Sequence, residues 1–225
     1  MSPRFSYAKA IREDFPELVP GVLHVEGITP SADVHGLTAH FCEIASARLG
    51  DNAESVLPEI QSWRQAFAKM GLKPTQYRCA AEALLRRFRK EGSLPGIHPL
   101  IDLCNSISIA FAVPVAVFDL QQVSGDIEVR RANGEEIYET FAGETEHPEA
   151  GEVVFADASG RAHARRWTNR QSGHSAVRDQ TRNVLIVCEA MHPTAVADVT
   201  RLITAIRQAV MQSWPSATVV EMHAA

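Results

Sequence analysis

The stretch Arg165-Arg-Trp-Thr-Asn-Arg-Gln-Ser-Gly-His174 sets three guanidiniums, an indole, two amides and an imidazole within ten residues. Guanidinium forks match phosphate or carboxylate oxygens two bonds at a time, and an indole offers a flat face for stacking. Histidine is the side chain whose ordinary pKa suits acid–base work near neutrality. Together these groups suit a ligand that is both anionic and flat. They would serve equally in a solvated loop, and residue types alone leave the two readings level.

Two other polar residues interrupt apolar runs: Asn105 in Leu103-Cys-Asn-Ser-Ile107, and Asp119 at the end of Val115-Ala-Val-Phe118. A buried amide or carboxylate without a partner costs roughly 1–3 kcal/mol or more. Each must therefore hold structure together or face a ligand. Charge is also segregated. Glu135 to Asp157 holds eight acids and no Lys or Arg, while Arg161 to Arg182 holds six arginines against one acid, Asp179. A second basic run is Arg86-Arg87-Phe-Arg89-Lys90, and the formal net charge is −5. That sum argues against non-specific coating of nucleic acid. Local basic stretches leave open either a phosphate-bearing ligand at one place or ordinary solvated faces.

Stepping from these residues to the elements that carry them, Gly21 to Ile28 alternates and predicts a strand. Helical spacing predicts helices over Val34–Leu49, Ser55–Met70 with Ser55 as N-cap, and Arg78–Glu91 ending at Gly92. A mostly buried helix follows over Pro99–Phe111. Strands are predicted at Val115–Phe118, Ile127–Arg130, Glu152–Ala156, Ala162–Trp167, Val184–Cys188 and Ala217–Glu221, with a helix over Thr194–Ser213. If the strand at 162 runs on, alternation puts Arg165, Trp167 and Asn169 on one side and Arg166, Thr168 and Arg170 on the other. The class is α+β: a mixed β-sheet sandwich core with flanking helices. Residues 1–225 are read as one domain, with 1–55 an N-terminal extension of the same globule; a helical annex over residues 1 to about 75 is the alternative.

Several chemistries lack their signatures. There is no phosphate-loop, dinucleotide-loop or serine-elbow motif. His35 and His40 are five apart and fall on different helix faces, and His163 and His174 have no identifiable helper carboxylate. No metal and no cofactor are expected. Cys42, Cys79, Cys104 and Cys188 are scattered without a Cys-x-x-Cys pair, which predicts buried reduced thiols. No apolar run is long enough to span a membrane, and the first residues lack the apolar segment of a signal peptide. The expected setting is cytoplasmic, without a membrane partner.

An ordered set of segments resembles the B3/B4 domain of the phenylalanyl-tRNA synthetase β subunit and its freestanding relatives. The set runs through Tyr77-Arg-Cys-Ala-Ala-Glu-Ala-Leu-Leu-Arg-Arg87, Leu94-Pro-Gly-Ile-His-Pro-Leu-Ile-Asp-Leu-Cys-Asn105, Val113 to Asp119, and Gly125-Asp-Ile-Glu-Val-Arg130. It continues with Gly134-Glu-Glu136, Phe155-Ala-Asp157, Arg166-Trp-Thr-Asn-Arg-Gln171 and Thr181-Arg-Asn-Val-Leu185. The resemblance covers roughly residues 60 to 215 and implies the fold named above.

It also implies a trans-editing hydrolase that removes a wrongly attached amino acid from tRNA by ester hydrolysis. The implied partners are aminoacyl-tRNA and an aminoacyl-tRNA synthetase. Orienting water and an oxyanion could suffice for such a labile ester without a covalent nucleophile. On this reading His174 acts as base, with Gln171 and Asn169 at the reacting ester. Asn105, Asp119, Asp157, Arg166, Trp167 and Arg170 bind the substrate. Two positions depart from the synthetase pattern: its histidine two residues before Phe118 is Ala116 here, and its glutamate beside His174-Ser-Ala176 is Gly173. The implication is a retained pocket with a substrate other than tyrosine. A non-catalytic tRNA- or synthetase-binding module and a binder of free amino acids or related small carboxylates are the alternatives.

Overall fold

The computed structural model describes residues 4–224, so the expectation for residues 1–3 of the extension lies outside the described residues. β10 (Asn183–Ala190) organises the chain. Its apolar residues alternate between two cores: Leu185 and Val187 face one, while Val184, Ile186 and Cys188 face the other. Side chains on successive strand residues point to opposite faces, so a run that is apolar throughout must be covered on both.

β10 lies between β2 (Val19–Glu26) and β3 (Val115–Asp119), and β11 (Thr218–Met222) completes a four-stranded antiparallel sheet in the order β11-β2-β10-β3. α5 (Pro99–Phe111) and α6 (Ala195–Ser213) cover its outer face through Leu103, Ile107, Leu202 and Ile206. Its inner face meets a second sheet of β1 (Phe5–Tyr7), β4 (Ile127–Arg131), β7 (Val153–Asp157), β8 (Ala162–Arg165) and β9 (Arg170–Gln171) in that order. β1 pairs with β4 in parallel and the other pairs are antiparallel, which makes the sheet mixed.

The core between the sheets holds Phe118, Phe155, Leu185 and Val187. It is closed along one side by α1 (Lys9–Asp14), α3 (Pro58–Lys69) and α4 (Ala80–Glu91), which contribute Ile11, Trp63, Phe67 and Leu85. α2 (His35–Leu49) packs along α5. A short hairpin of β5 (Tyr138–Glu139) and β6 (Thr145–Glu146) covers the outer side of the second sheet, where Tyr138 meets Val154 and Ala156. The architecture is the expected α+β sandwich with flanking helices.

Three expectations change. The N-terminal segment is not a helical annex: β1 joins the second sheet, and β2 lies inside the first between β11 and β10. The helix expected from Ser55 is broken. Glu54–Val56 forms a single 3-10 turn, Leu57 is extended, and α3 starts at Pro58. Proline disfavours the helical conformation in the residue before it and is well tolerated at the first helical position. α4 begins two residues later than expected, at Ala80, with the Cys79 sulfur accepting from the Glu82 amide.

Close packing of α6 on the first sheet requires a residue without a side chain at position 21. A Cβ there would lie 2.5 Å from Ile203 Cγ1 and 2.8 Å from Cys188 Sγ. Gly21→Ala is therefore expected to destabilise the fold by about 1–3 kcal/mol through overpacking. Urea unfolding measures this, and an unchanged midpoint would contradict the packing described.

Candidate functional site

The chain does not continue as one strand beyond Arg165. β8 ends there, and β9 returns alongside it with Ala164 opposite Gln171 and Arg165 opposite Arg170. Between them Arg166 and Trp167 adopt φ values of 47° and 58°, the left-handed region that bulky residues rarely occupy. The expected alternation of 165, 167 and 169 against 166, 168 and 170 is thereby overturned. A turn now directs Trp167 into the core between the sheets.

Three contacts hold that turn. The Trp167 amide donates to Val153 O at 2.7 Å. The Arg166 amide donates to Glu152 Oε1 at 3.0 Å. The Arg165 guanidinium grips both oxygens of the same glutamate at 2.9 Å each. Thr168 O accepts from the Ala80 amide at 2.8 Å, which ties the turn to the start of α4.

Beside this hairpin lies a cavity of about 60 Å³. Ala80, Pro114, Val115, Ala116, Phe155, Ala164 and Val187 supply its apolar walls, and Trp167 to Gln171 and Glu189 complete it. Register explains its position. β3 begins at Val115 opposite Cys188, whereas β10 runs on to Ala190, so Glu189 has no β3 partner.

Glu189 is the cavity's buried acid. It follows the alternation of Leu185 and Val187 and so faces inward. Its Oε1 accepts from the Tyr7 hydroxyl at 2.6 Å and from Trp167 Nε1 at 2.9 Å, while Oε2 takes no donor among the described residues. Burial pushes its carboxyl up to about 7, while the hydrogen bonds from Tyr7 and Trp167 and the charge of Arg12 oppose the rise. A second polar group with unused capacity is Thr168 Oγ1, which is buried in the lining and has no hydrogen-bond partner among the described residues. Glu189 carries the same sequence signal as Asn105 and Asp119, a polar residue in the apolar run Val184-Leu-Ile-Val-Cys-Glu189.

Of the residues singled out from sequence, Trp167, Asn169, Arg170 and Gln171 line this cavity together with Ala116. Each is also tied into the fold. The Trp167 indole is fully enclosed, edge-on to Trp63 and Phe15, and presents no face for a base to stack on. Asn169 Nδ2 donates to Arg78 O at 2.8 Å, and Gln171 Nε2 donates to Val117 O at 2.6 Å, which joins β9 to the edge of β3.

The other five do not reach the lining. Asn105 is half-buried on α5. Asp119 Oδ2 accepts from Thr181 Oγ1 at 2.6 Å, and Oδ1 accepts from the Gln121 amide. Burial would raise the Asp157 carboxyl, but hydrogen bonds from His163 and from the Ser124 and Arg161 amides hold it well below the usual range. Both aspartates thus brace loops. The Arg166 guanidinium sits 4.9 Å over the Tyr77 ring. His174 is half-buried, with Nδ1 3.8 Å from Glu139 Oε2, and burial followed by the charge of Arg161 lowers its pKa.

Gly173 stands where a side chain does not fit. A Cβ at Gly173 would meet Thr140 O at 2.6 Å and Phe141 Cα at 3.0 Å, because the tip of the β5–β6 hairpin packs there.

The segregated charges turn out to pair with one another. Arg165 and Arg170 both bind Glu146, and Arg165 also binds Glu152. In the other basic run, Arg86 and Arg89 converge on the buried Glu54, and Arg87 pairs with Glu91. Cys79, Cys104 and Cys188 are buried. Desolvation pushes the Cys79 and Cys104 thiols up to about 12, so neither supplies a thiolate near neutrality. Among the described residues, Glu59, His192 and Asp198 bring metal-type ligand atoms within 4.8 Å of one another. Arg48 and Arg201 already balance those carboxylates, and none of the three lines the cavity. No described helix is long and apolar enough to cross a membrane.

The B3/4 domain family matches residues 62–212. The phenylalanine–tRNA ligase β subunit of Shewanella oneidensis is 29% identical over 126 residues, which cover 56% of this chain and 16% of that protein. Its counterpart from Photorhabdus laumondii is 26% identical over 127 residues, with the same coverage of 56% and 16%. The chain thus spans a small part of the length of these curated relatives. A crystal structure of an N-terminal fragment of the phenylalanyl-tRNA synthetase β subunit from Pyrococcus horikoshii aligns with 99% of this chain and 54% of that one. The TM-score is 0.54 at 11% identity, a likeness of fold. The family match takes in α4, α5, β3, the β8–β9 hairpin and β10, and leaves β1, α1 and β2 outside. This chain belongs to the B3/4 domain family.

Proposed function

We propose that the chain is a trans-acting hydrolase that removes a wrongly attached amino acid from aminoacyl-tRNA in the cytoplasm. The observation that carries this reading is Glu189, a buried carboxylate in the lining of a small cavity whose walls are largely apolar. At about 60 Å³ the cavity is far below the roughly 300–1,000 Å³ of pockets that enclose a whole ligand. It suits one group of a substrate whose bulk remains outside. An aminoacyl ester offers such a group: an ammonium, with a side chain to be measured by the apolar walls.

In this reading Glu189 Oε2 takes the ammonium, and the ester carbonyl lies toward Thr168 and Asn169. The amide oxygens of Asn169 and Gln171, whose nitrogens are taken up by backbone carbonyls, orient the attacking water. No covalent intermediate is required, because the ester is labile and positioning lowers its barrier. The protein supplies orientation, and water supplies the nucleophile. Arg165 and Arg170 build the hairpin through their glutamates, so tRNA contact falls to other cations, Arg166 among them. A synthetase partner remains part of the proposal on the strength of the relatives, which are synthetase subunits.

A panel of mischarged aminoacyl-tRNAs incubated with the wild type tests the reading. Deacylation above the buffer rate is expected for at least one amino acid, and Glu189→Gln should lower kcat/KM for it by about 30-fold or more, since it removes the charge that meets the ammonium. No deacylation across the panel would overturn the hydrolase and leave the binding-module reading.

The same variant makes a stability prediction of definite sign. The Glu189 carboxyl has an ordinary value of 4.5 and lies at about 7 in the fold. The fold therefore favours its protonated form. The penalty for ionising it is nearly absent at pH 4, grows between about 4.5 and 7, and is complete above. Glu189→Gln should be more stable than the wild type at pH 8 by up to about 3 kcal/mol and by little at pH 4. Urea unfolding at the two pH values measures the difference; a difference that does not change with pH would contradict the buried, half-ionised carboxylate.

A further inference from the structure

The carboxylate at the cavity is held from a part of the chain that the family match does not cover. Tyr7 lies on β1, well before residue 62 where that match begins. Its hydroxyl donates to Glu189 Oε1 across 182 residues of sequence, and both residues are buried. Parallel pairing of Phe5, Ser6 and Tyr7 with Ile127, Glu128 and Val129 fixes the height of the ring. The Phe5 ring packs edge-on at 5.2 Å, and the Arg12 guanidinium lies 4.3 Å from the Tyr7 ring centre.

Resting on the hydrolase reading, we infer that Tyr7 is a positioning residue of the site, which turns the Glu189 carboxylate so that Oε1 is occupied and Oε2 is presented to the substrate ammonium. Two donors on one oxygen define which oxygen is free. When Glu189 binds a proton, that proton belongs on Oε2, where it blocks an ammonium; when it loses the proton, Oε2 becomes the acceptor. A hydrogen bond to the charged form favours that form. Tyr7 thereby helps keep the cavity in its cation-accepting state near neutral pH.

The groups that face this pair are few. Arg12 from α1 favours the carboxylate, and Cys188, the neighbour on β10, raises the Tyr7 pKa through its charge. Trp167 from the hairpin donates to the same oxygen, and Trp63 from α3 donates to the Glu189 backbone carbonyl at 3.2 Å. Neither indole carries charge. The Tyr7 hydroxyl itself stays protonated, because burial and then the Glu189 charge raise its pKa well above the ordinary value.

The test uses the full chain with its glutamates labelled at the carboxyl carbon, and follows Glu189 by NMR as pH is varied; the resonance lost in Glu189→Gln identifies it. Tyr7→Phe removes one donor and should move the Glu189 midpoint upward from about 7 by about one pH unit. Replacing Tyr7 by 3-fluorotyrosine keeps the packing, strengthens the donor and should move the midpoint the other way. In parallel, the acid limb of kcat/KM for deacylation should follow the NMR midpoint in each variant, with the Tyr7→Phe loss at pH 7 falling mainly on KM.

A purely structural Tyr7 would lower stability without moving either midpoint, and a Glu189 titration that is the same in all three proteins overturns the inference. Should the wild type deacylate nothing, the hydrolase reading fails, while the NMR titration still decides whether Tyr7 sets the state of Glu189.

Discussion

A carboxylate held inside an apolar core is the constraint around which the rest of this site is arranged. Alternation along β10 drives Glu189 inward, where an unpartnered carboxylate would be costly. Two donors reach it, Tyr7 from β1 and Trp167 from the β8–β9 hairpin. For the indole to arrive, the chain must pass through two successive left-handed residues, Arg166 and Trp167, each costing on the order of 1–3 kcal/mol. Burial of the indole against Trp63 and Phe15 offsets part of that strain. The Arg165–Glu152 clamp and the Trp167 amide bond to Val153 fix the turn in place. Strain, clamp and buried acid belong to one arrangement, and the cavity is its outcome.

The electrostatics follow from the same arrangement. Acids between Glu135 and Asp157 look, in one dimension, like a block separate from the arginines that follow. In three dimensions Glu146 and Glu152 are the partners of Arg165 and Arg170. The pairing builds a hairpin and leaves little free positive charge at its base. Ala116 contributes a small wall to the cavity, and Gly173 makes room for the β5–β6 tip.

Much of the fold was legible because strand and helix periods are strong in this sequence. Leu185 and Val187 against Val184 and Ile186, or the run Pro99 to Phe111, leave few alternatives. The cavity walls at Ala116 and from Trp167 to Gln171 were also within reach, through residue types and the family resemblance. The hairpin was not. Arg-Trp-Thr-Asn contains no glycine to announce its left-handed residues, and the forces that impose them come from Glu152, Val153 and Glu189, all distant in sequence. The loop contacts of Asp119 and Asp157 were illegible for a similar reason: a polar residue in an apolar run marks burial, and only tertiary structure shows what satisfies it. Glu189 carried that same mark. β1 was missed because three residues are too few for a period to show.

The central claim is that the aminoacyl group enters the cavity beside Glu189. The most direct measurement is a crystal structure with a non-hydrolysable analogue in which an amide links the amino acid to the 3′ position of adenosine. The account predicts the analogue's ammonium within hydrogen-bond distance of Glu189 Oε2, its carbonyl near Thr168, and its nucleoside outside the cavity. An analogue bound beside His174, with the space between Ala116 and Glu189 unaltered, would contradict it.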